Sequence, residues 1–259
     1  MRRLAAILCI LMSVAAAGCM SLEQTITLQK DLSGTAVFTM DIDMDPMVAM
    51  VARMTHKLTG KEGEPTAADI EAARTQLLTA KKSKPFEFEK EKAEIFEKLP
   101  AGVKLTDATF KDDGLKMGLR FALAFDNAAK LGTVKLEPPS GGTPAPEGVG
   151  NPMETPFLGL QVVDEGGTVL VTSPAQNPLA GERLKTEELA ELGPEVMSEV
   201  EALLKKFSVR FKLAAPFDVI EHNAHRKEGT TLIWEYDMAA IEKMAKGDAS
   251  PSIRVRYRK

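Results

Sequence analysis

The first nineteen residues constrain the rest of the chain most, because they decide in which solvent it folds and which cross-links it can use. Arg2 and Arg3 precede an apolar run from Leu4 to Val14, after which small residues lead to Ala16-Ala17-Gly18-Cys19. That run is too short to cross a hydrocarbon core of about 30 Å as a stable helix, so it reads as a cleaved export signal. Of the two cysteines, Cys9 leaves with the signal. A mature chain acylated at Cys19 then has neither a free thiol nor a disulfide, even in an oxidising compartment. Stability has to come from a packed core, and 44% hydrophobic residues in a chain of 259 are enough for one large domain or two small ones.

The small residues before Cys19 resemble a bacterial lipobox, with Ala16 where that motif prefers leucine. The resemblance implies a lipoprotein signal peptide over residues 1–18, cleavage before Cys19 and a lipid on its thiol. The alternative is cleavage after the Ala15-x-Ala17 pattern, which leaves a soluble secreted protein. Acyl chains contribute about 0.8 kcal/mol per buried CH₂ and would hold the protein on a bilayer without a spanning helix. Met20 and Ser21 follow with no aspartate, which under the lipoprotein sorting rule favours the outer membrane of a two-membrane bacterium. Loss of Arg2 and Arg3 takes the formal charge from −4 to about −6, a balance that argues against a nucleic-acid partner.

Beyond Cys19 the chain alternates apolar and polar residues in runs separated by turn signals. Leu22, Thr25 to Leu28, Ala36, Phe38, Met40 and Ile42 predict a hairpin around Asp31-Leu32-Ser33-Gly34. Asp45-Pro46 predicts a helix start with Asp45 as N-cap, and Met47, Met50, Val51, Met54 and Leu58 share one helical face. Thr66 and Asp69 open a second helix that carries Ile70, Ala73, Leu77 and Leu78 inward, so residues 46–82 form a helical hairpin. A charged helix over 89–98 precedes a further hairpin. Its first strand runs from Val103 to Phe110, it turns at Asp113-Gly114, and Leu115 to Phe125 return. A short helix near Asn127 leads to a proline- and glycine-rich segment over 137–156, expected to be a mobile loop. A third hairpin spans Phe157 to Thr172, and a helix over 186–207 is interrupted at Gly193-Pro194. Strands follow near 208–214, 217–222 and 230–236, and the last strand alternates Ile253, Val255 and Tyr257 with Arg254, Arg256 and Arg258.

The layout of the second half carries a resemblance. Val209 to Leu213, Pro216, Val219 to Glu221, Asn223, Gly229 and Thr231-Leu232-Ile233-Trp234 resemble the uncharacterised bacterial lipoproteins typified by mycobacterial LppM. The hairpin around Asp113-Gly114, the Phe121-x-x-x-Phe125-Asp126 segment and the hairpin at 157–172 occur in the same order. The resemblance implies a single α+β domain over 19–259, built on a curved, mainly antiparallel β-sheet packed on helices, with the helical hairpin at 46–82 as an insertion. It also implies an apolar interior that accepts lipid. Phe121, Leu123 and Phe125 alternate with Ala122 and Ala124, so one face of that strand is bulky and the other small. The expected ligand groove lies there, beside the helix that ends at Phe207.

Other candidates read more simply as structure. Asp41, Asp43 and Asp45 have the spacing of a calcium loop but lack its glycine and its glutamate, Ala52 standing at the twelfth place. His222 and His225 are too few to close a metal site. No metal and no cofactor is expected, and no nucleophile, phosphate-loop or dinucleotide motif points to an enzyme. The methionines at 47, 50 and 54 read as core, Trp234 as a core anchor, and the terminal arginines as the guard of an edge strand against pairing with other chains. Two expectations follow: a membrane-anchored lipoprotein that binds a lipid or other hydrophobic ligand, and a scaffold lipoprotein that acts through protein contacts.

Overall fold

The computed structural model describes residues 20–61, 63–82, 88–136, 157, 159–173, 198–199, 201–203, 205–237, 239–240, 243 and 252–259. The signal peptide, Cys19, the 137–156 segment and most of the 186–207 helix lie outside them.

Period-two alternation produces eleven described strands in two sheets. β1 (Met20–Leu28), β2 (Gly34–Asp43), β3 (Val103–Asp113), β4 (Lys116–Phe125), β7 (Ser208–Ala214), β9 (Arg226–Glu228) and β10 (Thr231–Asp237) form the larger sheet, in the order β3-β4-β2-β1-β7-β10-β9. β1 is its middle strand. It pairs antiparallel with β2 and parallel with β7, and every other pairing in that sheet is antiparallel. β5 (Gln161–Asp164), β6 (Thr168–Ser173), β8 (Asp218–His222) and β11 (Ile253–Arg258) form an antiparallel second sheet in the order β5-β6-β11-β8. With α1 (Asp45–Leu58), α2 (Ala67–Lys82), α3 (Phe88–Ile95) and a 3₁₀ turn at Ala128–Thr133, the class is α+β, as expected.

Register explains the core. Ala108, Phe121, Phe38, Gln24, Phe211 and Trp234 stand side by side across six strands of the larger sheet and are all buried. Phe38 stacks on Phe121 at 5.0 Å between ring centroids, and Phe211 meets Trp234 edge-on at 5.6 Å. Val169, Val171, Val255 and Tyr257 of the second sheet belong to the same buried cluster, so the two sheets share one core. Asn223 ties them at one end: its Oδ1 accepts from Trp234 Nε1 at 2.9 Å and from the Arg254 amide at 2.8 Å, and its Nδ2 donates to the Ser252 carbonyl at 2.6 Å.

Several local expectations need correction. The N-cap of α1 is Met44, without a side-chain cap bond; Asp45 is already helical, and its amide donates to Asp43 Oδ1 at 3.0 Å. Ile70 points outward at 40% exposure, because α2 packs on α1 through Ala73 and Leu77 instead. Phe157 is buried in a turn ahead of β5 rather than in a strand. β11 is not an edge strand: β6 and β8 flank it, and its outward arginines meet Glu221 (Arg254, 3.6 Å) and Glu165 (Arg256, 2.9 Å). The edge reading failed because alternation reports which face a residue takes and not how many neighbours its strand has. The capping box at the start of α2 forms as read: the Thr66 amide donates to Asp69 Oδ2 at 2.9 Å, and the Asp69 amide to Thr66 Oγ1 at 3.2 Å.

Candidate functional site

Two hollows open on the larger sheet near the start of β1. The rows of that sheet's outer face follow from the strand registers. One row runs Lys111, Gly118, Asp41, Ser21, Ser208 from β3 to β7, and a parallel row runs Thr109, Arg120, Thr39, Glu23, Arg210, Glu235 from β3 to β10. At Gly118 the first row has no side chain, and a Cβ there would approach Asp41 Oδ1 to 3.0 Å. The missing side chain helps open a cleft of about 400 Å³ where β1 begins, bounded by Met20, Ile42, Pro46 and Met117 and by Lys111, Lys116 and Lys206. Most of its exposed lining is apolar, and Asp41, Asp43 and Asp113 complete the charged part. A smaller hollow of about 290 Å³ adjoins it, sharing Ser21 and Asp41 and extending to Glu23, Thr39 and Arg210.

Ion pairs stiffen this face. Glu23 receives Lys212 Nζ at 2.8 Å and Arg210 at 3.2 Å, Arg210 Nε reaches Glu235 at 2.7 Å, and Arg226 joins Glu235 at 3.3 Å. Partial burial pushes the Glu23 carboxyl up, but the hydrogen bonds from Lys212 and Arg210 outweigh it and hold the carboxyl below its ordinary range. The same contacts, with Glu235 first and Glu23 second, push the Arg210 guanidinium up. Nearer the cleft, Lys116 lies 3.5 Å from Asp43 and 3.9 Å from Asp45, and Arg74 reaches Asp45 at 2.9 Å. The acidic trio is thus split: Asp43 and Asp45 face cations, Asp41 and Asp43 line the cleft, and Asp41 alone of the three reaches the smaller hollow.

The expected groove residues take opposite faces of β4. Phe121, Leu123 and Phe125 point into the shared core, where Phe121 is covered by Phe38 and, edge-on at 5.3 Å, by Phe96. Ala122 and Ala124 lie on the outer face, opposite Val37 and Thr35 of β2. The helix expected to form the other wall lies mostly outside the described residues, and neither hollow above includes any of the five. His222 and His225 have local duties. Each Nδ1 accepts a backbone amide, from Ala224 at 3.1 Å and from Glu235 at 3.0 Å. Among the described residues no group of three His, Cys, Asp or Glu is placed to hold a metal, and no helix is long and apolar enough to cross a membrane. Met47, Met50 and Met54 are buried.

The cleft escaped sequence reading because it is assembled from four segments. Alternation put Asp41, Lys111 and Lys116 on an outer face, yet nothing local says that β3 and β2 flank the same strand. An isolated glycine in a strand pattern, Gly118, was the one available signal, since it marks a bulge or an opening.

No known protein family matches the chain, and no curated protein does. Among solved structures it is similar to the folded domain of LppM from Mycobacterium tuberculosis, determined by NMR. The likeness is distant, with 11% identity and a TM-score of 0.41 over 93% of this chain and 90% of that one.

Proposed function

We propose that this is an envelope lipoprotein, held on a bilayer by acyl chains on Cys19 and working at the membrane surface on a hydrophobic ligand without catalysing a reaction. The observation that carries the reading is where the fold begins: Met20, the residue after Cys19, is already the first residue of the middle strand of the larger sheet. An anchor on Cys19 therefore has no linker, and the domain would rest on the bilayer. The apolar cleft beside Met20 favours a hydrophobic ligand over a purely proteinaceous one. A ligand between Phe121 and Phe125 would have to displace packed aromatic rings, whereas the cleft beside Met20 is already open. The scaffold reading draws on Val163 and Ile220, 48% and 46% exposed on the second sheet, which offer apolar contact points to a partner.

Labelled palmitate fed to cells should mark the protein, and Cys19→Ala should abolish the mark. A labelled Cys19→Ala band would place the lipid elsewhere and remove the argument from β1.

A further inference from the structure

We propose that the crossover at 222–226, where the chain passes from the second sheet to the larger one, is an acid-released clasp closed by two neutral imidazoles. β8 ends at His222 in the second sheet, and β9 begins at Arg226 in the larger. Between them His222 Nδ1 accepts the Ala224 amide at 3.1 Å, and His225 Nδ1 accepts the Glu235 amide at 3.0 Å. A backbone N–H can only donate, so each Nδ1 is the bare nitrogen of its ring and the ring proton sits on Nε2. A proton taken up at either Nδ1 sets two donors against each other, and the bond is lost. The bond from Glu235 matters most. β9 pairs with β10 only through Thr231, Leu232 and Ile233, and beyond that register His225 supplies the acceptor for the outward edge of β10. The carboxylates around the corner are already engaged: Glu235 by Arg210 Nε at 2.7 Å and Arg226 at 3.3 Å, Glu228 by Arg226 at 2.8 Å, Glu221 by Arg254 at 3.6 Å, and Asp237 by the Ala240 amide at 2.8 Å. Burial pushes the Tyr236 phenol, edge-on to His225 at 5.3 Å, up to about 12, so it stays neutral throughout. The bonds of Asn223 to Trp234, Arg254 and Ser252 involve no titrating group, so acid opens the corner without parting the sheets. What it uncovers is the edge of β10 beyond β9, a row of backbone groups open to a further strand. The clasp does not depend on the lipoprotein reading above.

The test follows amide hydrogen exchange in the purified mature protein at about pH 7.5 and about pH 5, on either side of the ordinary imidazole range. Protection factors remove the intrinsic pH dependence of exchange. Protection of the Ala224 and Glu235 amides should fall about tenfold at the lower pH, since one bound proton weakens such a bond by up to about tenfold per pH unit. β1 and β4 should keep theirs. His222→Asn with His225→Asn puts a carbonyl oxygen that does not titrate where each Nδ1 stands. That variant should match the wild type at the higher pH and show no fall at the lower. His225→Phe, which has no acceptor, should leave Glu235 weakly protected at both. Imidazole nitrogen NMR shifts at the higher pH should place the proton of both rings on Nε2. Melting midpoints at the higher pH check that the variants fold, and the wild-type comparison stands without them. The proposal is overturned if the wild type protects these two amides equally at both pH values, if the asparagine variant loses as much as the wild type, if β1 and β4 lose protection in step, or if either Nδ1 carries the proton at the higher pH.

Discussion

The core between the sheets and the buried face of the helical hairpin are equally dry but differently made. The first draws Trp234, Phe121, Phe38, Val171 and Tyr257 from both ends of the chain, with aromatic and β-branched side chains of few rotamers. The second is built from Met47, Met50, Met54, Ala73 and Leu77, residues close in sequence, and none of them belongs to the inter-sheet cluster. Its described contacts with the sheets include Lys116 to Asp45 at 3.9 Å and the Met44 amide to the Leu115 carbonyl at 2.9 Å. The difference predicts that β1 with its neighbours and the hairpin at 45–82 open as separate cooperative units, one held by distant pairing and the other by local packing.

The sharpest way to break that comparison is at Phe121. Phe121→Ala removes a ring enclosed by Phe38 and Phe96 and should cost about 3 to 5 kcal/mol. In urea unfolding followed by hydrogen exchange, β1 and β11 should lose protection together, because both sheets share that core. Loss confined to β3 and β4 would mean the sheets are independent.

Asn223→Ala comes next. It leaves the buried Trp234 Nε1–H without an acceptor, which costs about 1 to 3 kcal/mol. Asn223→Asp keeps that acceptor and loses only the donor to Ser252, so it should fall between the wild type and the alanine variant in urea midpoint. In the hairpin, Met50→Leu should cost under about 1.5 kcal/mol, since volume is conserved and the surrounding methionines can re-pack. Phe121→Leu should cost more than that, and equal losses in the two variants would erase the distinction between a rigid core and a soft one.

Much of this division was legible in residues. Alternation through Leu115, Leu119, Phe121 and Phe125 predicted the core face of β4. Within β3 the structure adds a bulge at Thr106, whose hydroxyl donates to the Ala122 carbonyl at 3.0 Å, a detail that the alternation did not announce. The methionine spacing gave α1 its buried stripe. The parallel pairing of Ser21 with Ser208, the split of β7 to β11 between two sheets and the cleft were not legible, because pairing between segments far apart in sequence leaves no local periodic trace. Gly118 shows the limit: the sequence marks an opening in a strand, and only the register says that Lys111 and Asp41 border it.

The smallest expected effect concerns acid, and it should separate the two regions again. Asp69 caps α2 and is bound by Lys61 Nζ at 2.7 Å, by the Thr66 hydroxyl at 2.7 Å and by the Thr66 amide at 2.9 Å, with His56 Nδ1 at 3.1 Å. The hydrogen bond from Lys61 first, and those from Thr66 next, hold its carboxyl far below the ordinary 3.8. A carboxylate depressed in the folded state contributes stability that is fully present above its unfolded value and is lost as pH falls through the folded one. Acidification below 3.8 should therefore loosen the start of α2 progressively. The aromatic row between the sheets has no ionised group to lose, although Glu23 on the outer face is depressed in the same direction. Hydrogen exchange followed down through this range should show residues 67–75 losing protection before β1 and β7. Asp69→Asn should start with weaker protection at neutral pH and lose less of it on acidification. If α2 and β1 instead lose protection in step, with or without Asp69→Asn, the hairpin and the sheets form a single cooperative unit and the division drawn from their packing is wrong.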